Sequence, residues 1–451
     1  MESDDSDAPL LERSGISSDS HVIDHTSLRR GLDRREIFCV SIGAVIGIGF
    51  YVRTGVVEAI GGPGPVIVAC VFLGLLAISV AQDQARLLHC WPVRGALIAY
   101  IAEFIDKDIA QAVGIHYWFT HLCCMLGLTA TAANLIDSLE LGRLTSTTLT
   151  ILSTFIPLLA NLTDLRYLKR ILVVSAYIKI TIVCAIIAVM FWINPTVASA
   201  QASQFKKREV IFHGTGPWGY FGSIMVAIYT LSFAFVGVEC ILASAMEANV
   251  RVPTRSPRIL ESRGNSDEQY GVERNDASKT VDNNPFSRPA VWVPLFVVVL
   301  YVISGWIATE NIAWTDPRLP SLDGHANVGE SIFIDAAKDY SELAGRWLTG
   351  FMIVIVITTM IATLYVASRS LYGLAIIYSG HSNRTADVED GKNWWKRLML
   401  VFCRRSRFHV PWIAALVSAF GQPVLMCIRH VWPDSIGPVS LLNNKKNGTI
   451  Y

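Results

Sequence analysis

The stretch SIGAVIGIGFYVRTG, residues 41–55, lies in the middle of the first long hydrophobic segment of the chain. This segment covers residues 37–60, and roughly 20 apolar residues are enough to cross the hydrocarbon core of a bilayer. Within it, Gly47 and Gly49 flank Ile48. Because each glycine costs about 1 kcal/mol relative to alanine inside a helix, the sequence predicts a weak point at mid-membrane depth.

This weak point has two interpretations. An unwound helix exposes backbone N–H and C=O groups, which a membrane tolerates only where they line a cavity or bind a ligand. Alternatively, Gly43 and Gly47 form a GxxxG pair, which is typical of close helix packing. The stretch alone favours neither interpretation.

The composition predicts a polytopic membrane protein. Of 451 residues, 52% are hydrophobic and only 17% are charged, and the mean hydropathy is +0.42. The net charge of +1 gives no reason to expect a nucleic-acid partner. The nine cysteines form no CxxC motif, and neither a metal-ligand cluster nor a nucleophile with its base appears at workable spacing. We therefore predict no metal, no cofactor and no catalytic residues, so the protein is not expected to be an enzyme.

Hydrophobic segments predict an all-α bundle of about nine transmembrane helices. They cover residues 37–60, 66–88, 110–140, 147–163, 170–193, 220–246, 291–311, 347–378 and 411–428. About 23 Lys and Arg fall in the loops on one side and about six on the other, so the positive-inside rule predicts a cytoplasmic N-terminus.

The polar segments divide the rest of the chain. Residues 1–35 are predicted to be a disordered cytoplasmic tail and 36–428 a transmembrane domain. A polar cytoplasmic loop at 254–288 interrupts that domain, and 429–451 form a polar C-terminal tail.

The sixth segment has the same irregularity as the first. The stretch FAFVGVE, residues 233–239, places Gly237 in mid-run and Glu239 where a lipid-facing carboxylate would cost several kcal/mol. Breaks in the first and sixth segments are what an inverted-repeat transporter requires, because its half-helix ends meet around the substrate. Helix N-termini suit a carboxylate, whereas carbonyl ends and a carboxylate suit an ammonium group. The pair of breaks therefore favours transport of a zwitterionic amino acid.

Other charged residues in the apolar segments leave alternatives open. Lys179 either reaches the cytoplasmic face along its helix or lies inside the bundle and exchanges a proton. Arg86 and Asp83 are three residues apart and are expected to pair. Arg53, one turn after the first break, could face an outer vestibule.

In its sequence motifs the chain resembles the fungal and bacterial amino acid permeases of the amino acid–polyamine–organocation superfamily. The resemblance covers about residues 30–428. It is carried by Gly47, Gly49, Phe50, Tyr51, Thr54, Gly55, Gly61, Gly62, Pro63, Trp91, Pro92, Tyr117, Trp118, Lys179, Phe235, Gly237, Glu239, Glu247, Asn249, Ala367, Ser368, Arg369 and Pro411.

The resemblance implies a leucine-transporter-like five-plus-five inverted repeat with broken helices one and six. Backbone N–H groups of Gly47, Ile48 and Gly49 would bind the substrate carboxylate. Carbonyls of Phe235, Val236 and Gly237 would receive its amino group. Lys179 and Glu239 would take part in proton coupling or gating, and uptake would occur by proton symport across a plasma or vacuolar membrane.

Three departures accompany the resemblance. Ile48 stands where a Thr or Ser is common, and Arg86 stands where relatives usually carry Glu. Such permeases usually have twelve helices, so nine segments imply a C-terminally truncated member. A non-transporting amino acid sensor or an inactive truncated permease is therefore the alternative function.

Overall fold

The computed structural model of the protein describes residues 34–90, 95–201, 217–241, 287–312, 316, 319, 331–380, 399, 401–403 and 411–431. Every long element in these residues is a helix. The helices are α1 (Arg34–Val45), α2 (Gly49–Gly61), α3 (Pro63–Cys90), α4 (Ala96–Phe104), α5 (Lys107–Asp137), α6 (Arg143–Leu162), α7 (Leu165–Gln201), α8 (Pro217–Ser232), α9 (Ser287–Asn311), α10 (Ile332–Tyr340), α11 (Glu342–Gly380) and α12 (Trp412–Val431).

The nine predicted segments all coincide with helices. Within the described residues, eight spans are long and apolar enough to cross a membrane, and the first of them comprises α1 and α2 together. The ninth segment is α12, whose described apolar part, Trp412–Gly421, is shorter. The predicted tails and the loop 254–288 lie almost wholly outside the described residues.

The exterior of the bundle is apolar. On α3, for example, Phe72, Leu75 and Leu76 are more than half exposed, and Trp192 at the end of the fifth span is 76% exposed. Large apolar side chains on every side of a helical bundle are normal where the surrounding solvent is lipid. The protein is therefore an integral membrane protein.

Two pairs of helices form the centre of the bundle. The third span, α5, packs along α11, and α3 packs along α9. The first span contacts members of both pairs: α1 packs against α9 and α11 as well as α7, and α2 packs against α3 as well as α8. Interruptions in the first and sixth spans therefore fall in the middle of the bundle, surrounded by protein rather than lipid.

Candidate functional site

The first span is broken, as its glycines predict. Helix α1 ends at Val45 and α2 begins at Gly49, so residues 46–48 lie outside regular helix. Two carbonyl groups at the end of α1 accept hydrogen bonds from side chains of other spans. Lys179 Nζ donates to the Gly43 oxygen, and the Tyr301 hydroxyl lies 3.2 Å from the Val45 oxygen. The break is thus stabilised by buried donors, as a membrane interior requires.

The glycines of this stretch serve both interpretations considered above. A Cβ on Gly43 would lie 3.3 Å from Cβ of Ala176, so Gly43 allows close packing of α1 on α7. A Cβ on Gly49 would lie only 2.8 Å from the Phe233 ring. Gly43 is therefore a packing residue, whereas Gly49 brings the two interrupted spans into contact.

The sixth span is also broken. Helix α8 ends at Ser232, residues 233–235 form one 3₁₀ turn, and helical structure resumes at Cys240. Gly237 has a backbone φ of +111°, a conformation that residues with a side chain rarely adopt. Its N–H donates to Glu239 Oε2 at 2.9 Å. Glu239 thus stabilises the break from within its own turn.

Tyr301 of α9 links the two breaks. Its hydroxyl lies 3.2 Å from the carbonyl oxygen of Val45 and 3.3 Å from that of Ala234. The residue is fully buried, and its ring stacks on Phe50 with the centroids 4.4 Å apart. The single hydroxyl proton can be donated to either carbonyl oxygen, both of which lie where the regular helical hydrogen bonds are interrupted.

A cavity lies beside the junction of the breaks. Its volume, including its open mouth, is about 470 Å³. Four spans line it. The residues are Ala44, Val45, Gly47, Ile48 and Gly49 of the first; His121, Cys124 and Leu128 of the third; Phe233, Ala234, Val236, Gly237 and Cys240 of the sixth; and Thr359, Ala362, Thr363 and Val366 of the eighth.

Five of the six residues predicted to bind substrate line this cavity: Gly47, Ile48, Gly49, Val236 and Gly237. Phe235 is not among the lining residues. Its ring packs edge-on against Tyr301, with the centroids 5.5 Å apart. The structure therefore places the Phe235 side chain behind the cavity wall.

Lys179 lies inside the bundle and is fully buried. This agrees with the interior position of the second alternative, and the exchange of a proton stays a prediction. Besides the Gly43 carbonyl, Nζ contacts Thr359 Oγ1 at 2.9 Å. Since Thr359 lines the cavity, Lys179 is one side chain away from it.

Glu239 is similarly one residue from the cavity. Its Oε1 lies 3.6 Å from Nε2 of His121, which is 2% exposed and lines the cavity. The other ring nitrogen of His121 lies 2.9 Å from the Tyr117 carbonyl oxygen. The imidazole is therefore held between a carboxylate and a backbone acceptor.

An aromatic cluster formed by Phe50, Tyr51, Tyr301 and Phe333 covers the junction, and none of its members lines the cavity. Tyr51 contacts the ring of Phe333 at 5.1 Å between centroids, so the cluster connects α2 to α10. Such a cluster separates the cavity from the side of the bundle on which α10 lies.

The remaining predicted residues lie away from the cavity. Arg86 pairs with Asp83 at 3.4 Å on the exposed end of α3, as expected. Arg53 is exposed and does not line the cavity. Among the described residues, no group of three His, Cys, Asp or Glu side chains could hold a metal ion.

The third and eighth spans were expected to face the pocket, but the sequence did not identify which of their residues do so. His121 and Thr359 lie within predominantly apolar segments, with no glycine pair to mark them. The only available signal was their polarity inside a span, which applies equally to other Ser and Thr residues that bond their own helix, such as Thr129.

Interrupted first and sixth spans that meet beside a cavity at the centre of a helical bundle define a leucine-transporter-like inverted-repeat fold. A comparison of solved structures supports this class. Mhp1, a nucleobase-cation-symport-1 family transporter solved with bromovinylhydantoin bound, matches with a TM-score of 0.53 at 12% identity, covering 88% of this chain and 73% of its own. The predicted fold is confirmed.

The sequence comparisons are more specific. The amino acid permease family model matches residues 36–256. The dicarboxylic amino acid permease of Saccharomyces cerevisiae is 22% identical over 93% of this chain and 62% of its own length. The lysine-specific permease of Lactococcus lactis is 21% identical over 80% of this chain and 65% of its own. The resemblance to amino acid permeases is confirmed.

The chain spans less than two thirds of the length of these relatives. The family match covers the first six spans, including both helix breaks.

Proposed function

We propose that this protein moves amino acids across a membrane and that the cavity between the broken spans is its substrate site. The observation that carries the proposal is the meeting of the two interrupted spans beside one cavity. Regular helices would bury their backbone groups, whereas these breaks leave backbone groups at the cavity wall. The similarity to permeases of amino acids adds independent support.

The carboxylate of the substrate would bind at the start of α2. Backbone N–H groups at a helix N-terminus carry a partial positive charge and suit an anion. Gly47, Ile48 and Gly49 line the cavity at that position. Ile48 has no hydroxyl, so the carboxylate would be held by the backbone alone.

The ammonium group would bind at the interruption of the sixth span. Val236 and Gly237 line this side, and the carbonyl oxygens of such a turn are acceptors for a cation. The Phe235 carbonyl belongs to the same turn, although its side chain points away. Glu239 places a negative charge behind this region and favours a cationic group there.

Proton symport would use the buried titratable groups beside the cavity. Lys179 contacts Thr359, and Glu239 lies close to His121, so both are connected to the site through one lining residue. We propose Lys179 as the coupling residue because its Nζ also contacts the carbonyl end of α1. A change in its protonation would therefore alter the bonding of the first break.

The proposed location is a plasma or vacuolar membrane with the N-terminus in the cytoplasm. The basis is the uneven distribution of Lys and Arg between the two sets of loops.

The test is uptake of radiolabelled amino acids into proteoliposomes with an imposed pH gradient. The expected result is accumulation that collapses when a protonophore removes the gradient. Each of the twenty amino acids is assayed, with empty vesicles as the control. No accumulation of any of them by a folded preparation would contradict the transport proposal.

Binding measurements made in parallel distinguish a transporter from the alternative function, a sensor or an inactive permease. An amino acid that raises the melting temperature of the purified protein without any flux would favour a sensor or an inactive permease over a transporter.

A further inference from the structure

Glu58 is an anomalous residue in the first span. It lies on α2 and is 1% exposed. Neither oxygen of its carboxyl group has a hydrogen-bond partner within the described residues. Its sequence neighbours Val56, Val57, Ala59 and Ile60 are apolar. The Glu58 carboxyl group is therefore buried without a hydrogen-bond partner among the described residues.

The energetic cost of this arrangement depends on the proton. An ionised carboxylate buried without a counter-charge is too costly to persist, so such a group binds a proton instead. Even the neutral acid loses its bonds to water, at about 1–3 kcal/mol for an unsatisfied buried group. A leucine would avoid this cost. A buried carboxyl group at such a position is a functional candidate.

Helix α2 packs against α10 as well as against α3, α8 and α9. Tyr51, seven residues earlier, lies on the same face of α2 and belongs to the aromatic cluster. Ser331, at the start of α10, donates from its hydroxyl to the Tyr51 carbonyl at 2.6 Å. Helix α2 is therefore fastened to α10 at its first turn, and Glu58 lies two turns further along the same face.

No described titratable group neutralises this carboxyl. Helix α2 packs against α3, α8, α9, α10 and the 3₁₀ turn. Their titratable groups, together with those of α2 itself, are Tyr51, Arg53, Cys70, Asp83, Arg86, His89, Cys90, Tyr220, Tyr229, Arg288, Tyr301, Glu310, Asp335, Lys338, Asp339 and Tyr340. None of them forms a hydrogen bond with the Glu58 carboxyl.

We propose that Glu58 is a proton-binding site that holds α2 in its closed packing when protonated and releases α2 when ionised. Loss of the proton leaves a charge that only water can stabilise. Water reaches the group when α2 separates from its neighbours. Helix α2 would thus separate from its neighbours as the proton leaves, and this proton site is distinct from Lys179 and Glu239.

The test compares the wild type with Glu58→Gln, the neutral isostere of the protonated acid. Melting temperatures of the two purified full chains are measured at matched values between pH 5 and 8. An unfolded glutamate releases its proton above about pH 4.3. The folded wild type keeps that proton, so its unfolding constant should rise about tenfold per pH unit relative to the variant.

Hydrogen exchange of residues 49–61 tests the opening itself. At each pH the wild type and the variant share the same intrinsic exchange rate, so their ratio reports opening alone. We expect the wild type to exchange faster than Glu58→Gln at high pH and at an equal rate at low pH.

Two further variants complete the experiment. The amide of Gln brings donors that have no partner, so Glu58→Leu provides a second non-titrating variant. Its melting temperature should vary with pH in the same way as that of Glu58→Gln. Asp83→Asn removes an exposed carboxylate paired with Arg86 and should keep the wild-type profile.

Equal pH dependence of melting in the wild type and Glu58→Leu would overturn the proposal, as would an exchange ratio that does not vary with pH. Neither measurement requires transport. A preparation without uptake but with the expected melting profile would therefore reject the proposed function and keep this proton site.

Discussion

Gly237 lies directly against the end of α1: a Cβ at this position would be 2.7 Å from the carbonyl oxygen of Ala44. The φ of Gly237 is +111°, which L side chains rarely adopt. The contact between the two broken spans therefore depends on a residue without a side chain, both for space and for backbone conformation.

The first prediction is that Gly237→Ala destabilises this junction. Backbone strain of about 1–3 kcal/mol would add to the clash with Ala44, so we expect a lower melting temperature and weak or absent uptake. Gly350→Ala in α11 is the control, since nothing lies within 4 Å of a Cβ there. Unchanged melting of Gly237→Ala would show that the junction is not rigid.

The second prediction concerns the start of α2, where the substrate carboxylate is proposed to bind. Gly49→Leu places a side chain against Phe233 and into the cavity, so we expect loss of binding and uptake while membrane insertion remains intact. Gly127→Leu is the matched control because a Cβ at Gly127 has open space around it. Binding is followed by ligand-induced stabilisation. Uptake that survives Gly49→Leu would remove this part of α2 from the site.

Residues of the helix breaks were predictable because glycines interrupt an apolar run, a local signal that needs no partner. The pairing of Arg86 with Asp83 was equally local, since residues three positions apart are neighbours on the surface of a helix. Lys179 marks the limit of such reasoning. Its charge inside a span was visible, but its acceptors, the Gly43 carbonyl and Thr359, lie 136 and 180 residues away in the sequence.

The side-chain wall of the cavity could not be predicted for the same reason. His121 and Thr359 face the cavity because α5 packs along α11 beside the broken spans. Which side of each helix faces the cavity is set by tertiary packing. The apolar composition of both segments, which face lipid on one side and protein on the other, hides the periodicity that would have indicated it.

The third prediction tests the link between the breaks. Tyr301→Phe keeps the ring that stacks on Phe50 and removes the hydroxyl near the Val45 and Ala234 carbonyls. A buried hydrogen bond contributes about 0.5–1.5 kcal/mol, so we expect a melting temperature lower by a few degrees and slower uptake. Tyr340→Phe, at a half-exposed position, is the control. Equal melting of the two variants would mean that the hydroxyl makes no net contribution.

The fourth prediction concerns Lys179. Lys179→Met keeps a long side chain of similar volume but removes the donor to Gly43 and Thr359, and with it the group proposed to exchange a proton. We expect substrate binding to persist while accumulation driven by a pH gradient falls at least tenfold. Counterflow exchange of labelled for unlabelled substrate, which needs no net proton movement, should fall much less.

Lys169→Met is the matched control for this experiment. Lys169 lies on the same helix, α7, but pairs with Glu36 at 3.0 Å near the end of the bundle. Its loss removes a positive charge without touching either break, and it should leave accumulation near the wild-type level. If Lys179→Met accumulates substrate as well as Lys169→Met does, the coupling proton is carried elsewhere. Glu239 beside His121 then becomes the group to test, by Glu239→Gln in the same assay.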